Sequence, residues 1–295
     1  MKKALLLITL STVSLITSAQ VVVAAGRKDD GSKQEKLDAA TIRCYYKFTQ
    51  PVTVDKETIQ VRDTMTLDIG GKVSKYYDAS REKRDSLLTD FMTNKMDINT
   101  IQSVTVLKEA DPSAFDGSAG TTFDGTSRGE TAKLYKKRQA GQMITTDNAE
   151  NGPEKYKCTE SVPAQKWNIT TDTLTVLNYL CQKATTSFRG RNYEVWFSPD
   201  IPVNDGPWKL YGLPGLILKA NDTENLFSFE IIGLENLASP VEINLPMADY
   251  IKASVKDLEK LKRKRSGGTA INVNGGNVVI VNKKNENQYQ PLEIE

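Results

Sequence analysis

Chemistry near neutral pH most often runs through histidine, and this chain of 295 residues has none. That excludes Ser-His-Asp and Cys-His nucleophile pairs, His-ligated zinc and an imidazole proton shuttle. Catalysis would fall to carboxylates, Lys, Tyr, a thiolate or a cofactor. Glu194, Asp200 and Asp205 lie near enough in sequence to meet, and a carboxylate pair can hydrolyse a glycoside without histidine. Acids are also common in exposed turns, so this spacing fits a solvated loop equally well. Cys44, Cys158 and Cys181 follow no C-x-x-C spacing, so no zinc or iron–sulfur centre is expected, and no cofactor motif is present. Phe-Asp-Gly occurs at 115–117 and again at 123–125, but acids are too sparse there for a calcium cage.

The densest local chemistry lies between Ser198 and Leu218. Pro199, Pro202 and Pro207 fix φ and remove donors, so this stretch is neither a central strand nor a helix interior. Leu213-Pro214-Gly215-Leu216 has the pattern of a type II turn, with Gly where φ must be positive. Gly206, Pro207, Gly212 and Gly215 are the expected turn residues. Two functions compete for the corner so formed. It could be a structural bend that packs its own Trp into the core. It could instead present Trp196, Trp208, Tyr211, Leu213 and Pro214 to a ligand, with Arg189 and Arg191 available to a carboxylate or headgroup.

Positioning these residues falls to strands. Alternation predicts strands over Thr41–Thr49, Thr58–Ile69 and Lys72–Tyr77, then a helix capped by Ser80 with Leu87, Leu88, Phe91 and Met92 as its apolar stripe. Ile101–Leu107 is a further short strand. Asp111–Glu130 and Thr145–Glu154 read as polar loops. Tyr156–Glu160 is extended, and Leu174–Phe188 and Tyr193–Phe197 form a hairpin about Arg189-Gly190-Arg191, with Tyr193, Val195 and Phe197 on one face. Leu216–Ala220 and Phe227–Leu234 make another pair. Ala248–Arg265 is the second expected helix, with Ile251, Val255 and Leu258 on one side. Its basic end suits the helix dipole and a solvated position, with anionic headgroups as a further partner. Ile271–Val281 adds a late strand around Gly275-Gly276. The resulting fold class is mainly β, with an antiparallel sheet and two accessory helices.

Lys2 and Lys3 precede the apolar run Ala4–Ile16 and the small residues Thr17-Ser18-Ala19, the pattern of a secretory signal peptide cut after Ala19, with a second site at Val23-Ala24-Ala25. A membrane anchor over Ala4–Ala25 is the weaker alternative, because Thr12, Ser14, Thr17, Ser18 and Gln20 interrupt it. No transmembrane span is expected after cleavage. Losing Lys2 and Lys3 from 39 basic residues leaves a balance with the 37 acids. The pI of 8.2 therefore overstates the basicity of the mature chain, and nucleic acid is not an expected partner. The expected organisation is a signal peptide at 1–19, a mobile segment at 20–40, one β-rich domain at 41–265 and a polar tail at 266–295. Export permits disulfides, and three cysteines suggest one bridge plus one buried thiol.

The segment Gly212-Leu213-Pro214-Gly215-Leu216-Ile217 resembles the naming motif of the GLPGLI family of exported Bacteroidetes proteins. The resemblance extends over Cys181-Gln182-Lys183-Ala184, Phe188-Arg189-Gly190-Arg191, Trp196-Phe197, Ile201-Pro202 and Gly206-Pro207-Trp208, and more weakly to Leu67-Asp68-Ile69-Gly70 and Ser74-Lys75-Tyr76-Tyr77. It fades around 111–155, which therefore looks like a loop insertion. The resemblance implies a periplasmic, secreted or outer-membrane-associated location. It implies no reaction and no catalytic residues. The family pattern includes Cys181 and not the other two cysteines, which favours Cys44–Cys158 as the bridge; Cys158–Cys181 also fits neighbouring strands. By analogy with periplasmic lipoprotein carriers, the sheet is expected to be curved or a half-barrel. The function so indicated is a non-enzymatic envelope protein that binds a hydrophobic ligand, a peptide or an exported protein. A structural role in an outer-membrane complex, with exposed sheet edges as docking strands, is the alternative, and a carboxylate hydrolase the remaining one.

Overall fold

The computed structural model describes residues 33–54, 57–91, 94, 98–108, 120–124, 130–148, 154–264, 269–282 and 288–294. The expected signal peptide, most of 111–130 and the turn at Asn151-Gly152-Pro153 lie outside them. The described residues open with two long strands, β1 (Gln34–Val54) and β2 (Glu57–Gly70), then β3 (Val73–Tyr77) and helix α1 (Ala79–Asp90). Two short strands, β4 (Ser103–Lys108) and β5 (Thr121–Asp124), precede a meander of β6 (Lys133–Lys137), β7 (Gln142–Asn148) and β8 (Lys155–Ser161). Next come β9 (Asn168–Val176), β10 (Tyr179–Phe188) and β11 (Arg191–Ser198), and, past the proline-rich corner, β12 (Leu216–Asp222) and β13 (Ser228–Pro246). The remainder is β14 (Tyr250–Lys252), helix α2 (Val255–Lys264), the hairpin β15 (Thr269–Asn274) and β16 (Asn277–Asn282), and β17 (Gln288–Tyr289).

The mainly β class, with two α-helices among the described residues, is as expected. One sheet runs β14-β8-β7-β6-β3-β2-β1-β13-β12-β11-β10-β9, with β17 added beside β1, and a smaller one runs β4-β16-β15-β5. Neither closes into a barrel. Six steps of the large sheet separate β6 from β11, about 29 Å if it were flat. Lys136 on β6 nevertheless ion-pairs at 2.5 Å with Asp205 beyond β11, and Glu160 on β8, two steps further out, pairs with Arg189 in the turn that joins β10 to β11. The sheet therefore curls, and the corner at 199–215 crosses its concave face. Register shifts along β1 at Lys36/Asp38, Ala40/Ile42 and Tyr45/Tyr46 supply bends of the kind curvature needs.

Two-residue hairpins are built by paired positive φ values, the geometry that matches strand twist. Arg189-Gly190 (φ 52° and 75°) joins β10 to β11, as the sequence indicated, and Gly275-Gly276 (52° and 86°) joins β15 to β16. Leu177-Asn178 (47° and 66°) splits the expected run Leu174–Phe188 into β9 and β10. A leucine in that conformation carries no sequence signal, which is why the run read as continuous.

Several boundaries differ from expectation, each through tertiary pairing. Residues 34–40 are the first third of β1 and not a mobile lead-in: Asp38 accepts from the backbone of Ala39, Lys72 and Val73, so its polarity is structural. The described residues of 111–155 are not a loop: β6 and β7 sit inside the large sheet and β5 belongs to the small one. Helix α1 is capped by Asp78, whose carboxylate accepts from the Arg81 N–H and the Ser80 hydroxyl. Its Leu87 is exposed, while Phe91 packs on the core of the small sheet. Helix α2 starts at Val255, because Tyr250–Lys252 pair in parallel with Lys155–Lys157 and Ser254 and Asp257 form a reciprocal cap. The polar tail is also part of the fold, with β17 pairing Val52 and Thr53.

Candidate functional site

The corner's aromatic and apolar side chains are its anchor. Trp208, Tyr211 and Leu213 are 8%, 2% and 1% exposed, within one core that also holds Phe197, Leu210 and Leu216. Tyr211 donates its hydroxyl to the Val162 carbonyl, and the Trp167 indole donates to the Tyr211 carbonyl at 2.9 Å. Trp208 packs edge-on against Phe188 at 5.6 Å between ring centroids. It holds a positive φ of 50°, a strained conformation for a bulky residue that its surroundings must enforce. Of the expected contact residues, Pro214 is exposed and Trp196 half-buried with Lys183 over its ring.

The expected type II turn at 213–216 is replaced. Gly215 does not have a positive φ; Gly212 does, at 102°. Gly215 is needed for close approach, since a Cβ there would stand 2.2 Å from the Ser198 carbonyl oxygen. A Cβ on Gly206 would meet Ile217 at 2.8 Å. Beside it, Asp205 is fully buried between Lys136 and Arg138, with Arg138 at 2.7 Å. Lys136 also donates to the Gly206 carbonyl and Arg138 to that of Gly70. Burial alone would raise the Asp205 pKa, but the two cations and the Lys136 hydrogen bond outweigh it and hold the carboxyl below its usual 3.8.

Arg189 and Arg191 have internal partners. Arg189 ion-pairs with Glu160 and, at 3.4 Å, with Glu293. Lys209, itself 4% exposed, lies against the same two carboxylates, Glu293 at 2.5 Å and Glu160. Arg191 lies over the Phe227 ring at 4.7 Å, faces Asp222, and donates to the carbonyls of Pro291 and Leu292 at 3.0 and 3.1 Å. The hairpin turn thus receives residues 291–294. Lys209, Glu293 and Trp208 meet Tyr76, Leu134 and Leu258 of α2 around a cavity of about 70 Å³. Larger grooves of 330, 380 and 710 Å³ each include charged residues in their lining.

The three candidate carboxylates are not assembled into one site. Asp205 is locked in its ion pairs, Glu194 pairs with Lys183 on the outer face, and Asp200 is exposed. The expected Cys44–Cys158 bridge is absent: all three cysteines are free thiols. Cys44 belongs to the main core and Cys158 to a separate cluster beneath α2, so the curvature places them on different packing units. Burial pushes the Cys181 thiol up to about 11, and the Cys44 thiol further, which suppresses thiolate reactivity. Among the described residues no group of three or more His, Cys, Asp or Glu could hold a metal ion. None of their helices is long and apolar enough to cross a membrane.

The exposed apolar surface lies elsewhere. In the large sheet β9 is the terminal strand, and its hairpin with β10 exposes Ile169, Leu174, Leu177 and Leu180, the last by 59%. Sequence reading missed this edge, along with Lys136, Arg138, Glu160, Lys209 and Glu293. The hairpin's leucines at 174, 177 and 180 were legible in the sequence, but not their exposure at the edge of the sheet. The ion pairs join residues from 29 positions apart, Arg189 with Glu160, to 84 apart, Lys209 with Glu293, and further for Arg189 with Glu293, and no local pattern announces them.

Residues 130–249 match a family model described as the N-terminal domain of N-glycanase. Two solved structures of PNGF-II, in the P21 and C2 space groups, are similar to 75% of this chain at 14% identity, with TM-scores of 0.44 and 0.42. The chain spans about a third of the length of those structures, 33% in each case. No curated protein matches.

Proposed function

We propose that this chain is an exported, non-enzymatic envelope protein of the GLPGLI family that docks an exported protein partner on the free edge of its large sheet. The β9–β10 hairpin carries this reading. An open edge strand offers backbone donors and acceptors for strand addition, and Leu174, Leu177 and Leu180 supply apolar contact beside it. A hydrophobic small ligand is less well served: such sites typically enclose ~300–1,000 Å³, the cavity beside Tyr76 holds about 70 Å³, and the 330 Å³ groove between α2 and residues 291–294 has Lys256, Glu259, Lys260, Arg263 and Glu293 in its walls. A photo-crosslinking side chain at position 180, in cells, should yield one discrete protein adduct that Leu177→Lys abolishes. The same probe at the exposed Ile232 of β13 should yield none. Equal labelling from both positions would overturn the docking role.

The family match favours a second reading, an accessory module in glycoprotein processing, because the matched model describes one domain of an N-glycanase. On this reading the chain contributes binding rather than hydrolysis, in keeping with the ion pairs that occupy Asp205 and Glu194. Incubation with an N-glycosylated peptide should release no glycan. Release that Glu194→Gln abolishes would establish an enzyme instead.

A further inference from the structure

The segment 288–294 lies over the hairpin turn and the corner like a bound peptide. Its backbone pairs with β1 at Val52 and Thr53, and Arg191 holds the carbonyls of Pro291 and Leu292. The Ile294 N–H donates to the Arg189 carbonyl. Leu292 packs against the main core, and Glu293, 9% exposed, enters between Lys209 and Arg189. All of these contacts except the packing of Leu292 are made to backbone groups or to one carboxylate. They would be met by any extended segment with an apolar residue followed by Glu.

The receiving side does not depend on Glu293. Glu160 ion-pairs with both Lys209 and Arg189, so the two cations keep a partner when Glu293 leaves. What remains is two cations against one carboxylate, already oriented, with Lys209 over the Trp208 ring and Arg189 over Phe188. Buried charges that stay paired in the empty state are an acceptor site, since little reorganisation opposes a second carboxylate. Gln165 fixes the Lys209 backbone by accepting from the Tyr211 N–H and donating to the Lys209 carbonyl.

We propose that Lys209, Arg189, Arg191 and Glu160 form a receptor for an acidic peptide of the pattern apolar–Glu, closed in the free protein by the chain's own residues 288–294. The occupant is a segment of a partner polypeptide that displaces this strap in trans. The site is independent of the β9 edge, so either can fail without the other. Displacement also uncovers the cavity beside Tyr76, whose buried hydroxyl has no hydrogen-bond partner.

The test uses the full chain carrying Leu292→Ala and Glu293→Gln, which loosen the strap. The probes are the hexapeptide amide Tyr-Gln-Pro-Leu-Glu-Ile and its Gln counterpart, titrated by calorimetry. Charge-assisted hydrogen bonds predict at least ~10-fold tighter binding of the Glu peptide. The wild-type chain should bind it at least ~10-fold more weakly, because its own strap competes. Arg189→Ala in the loosened chain should erase the preference for Glu. Should the double variant fail to melt cooperatively, Leu292→Ala alone keeps the charges paired and serves in its place. Equal affinity for the two peptides, or no binding by a folded loosened chain, would refute the receptor. A concentration-dependent dimer in place of peptide binding would reassign the strap to exchange between copies and overturn the proposal.

Discussion

Replacing Asp205 by Asn tests whether the corner is held by charge as well as by packing. Asp205 and Lys136 are both fully buried, and Asp205 also faces Arg138 at 2.7 Å and accepts from the Gly206 N–H at 2.8 Å. Asparagine keeps the shape and loses the charge, which leaves Lys136 buried without its carboxylate and Arg138 with only the electrostatic influence of Asp38. Breaking a buried pair in this way costs about 3–5 kcal/mol. With a urea m-value near ~3 kcal/mol/M, the unfolding midpoint should fall by roughly 1–2 M. Lys136→Met is the internal comparison, because Asp205 then retains Arg138 and the Gly206 N–H. Its cost should stay below about 2 kcal/mol, chiefly the unsatisfied Gly206 carbonyl. The acid limb provides a second reading. Well above pH 3.8 the carboxylate is charged in both states and its contribution is complete. As pH falls below that value the unfolded chain takes up a proton first, so stability declines by up to about 1.36 kcal/mol per pH unit until the folded carboxyl also protonates. Urea titrations at pH 7 and between pH 4 and 2.5 should show this limb in the wild type and a shallower one in Asp205→Asn. A loss below about 1 kcal/mol, or an unchanged acid limb, would mean that the corner is held by packing alone.

Gly215→Ala drives a methyl into the Ser198–Pro199 backbone and should cost about 3 kcal/mol or more, whereas Gly71→Ala, with nothing within 4 Å, should lie within about 0.5 kcal/mol of wild type by thermal melting. A thiol reagent in urea without reductant should count three thiols per chain and react slowly with the native protein; a count of one would restore the disulfide. Ser254→Ala removes the cap of α2 and should cost about 1 kcal/mol by the same melts, whereas Ser254→Thr keeps a hydroxyl that both accepts from the Asp257 N–H and donates to its carboxylate and should change stability little.

The alternating pattern of Tyr193, Val195 and Phe197 and the Arg-Gly pair at 189–190 determined a hairpin, because strand period and turn chemistry are local. The prolines at 199, 202 and 207 likewise determined a corner that is neither strand nor helix. For the corner residues, buriability was legible in composition: Trp208, Tyr211 and Leu213 are large and apolar, and the structural bend was one of the two roles expected. Which surface remained open was not. That depends on sheet order, and strand pairing between β1 and β13, nearly two hundred positions apart, leaves no local trace. The same holds for the turn geometry, where Gly215 is required by the approach of Ser198 and not by its own φ. Residues 34–40 and 288–294 read as polar ends because their charges are not periodic; Asp38 and Glu293 are polar for internal partners that only the folded sheet supplies. The sequence by itself determined strands, turns and the absence of histidine chemistry. Tertiary structure decided which charges meet, since a buried ion pair is stable only where curvature brings both partners out of water together.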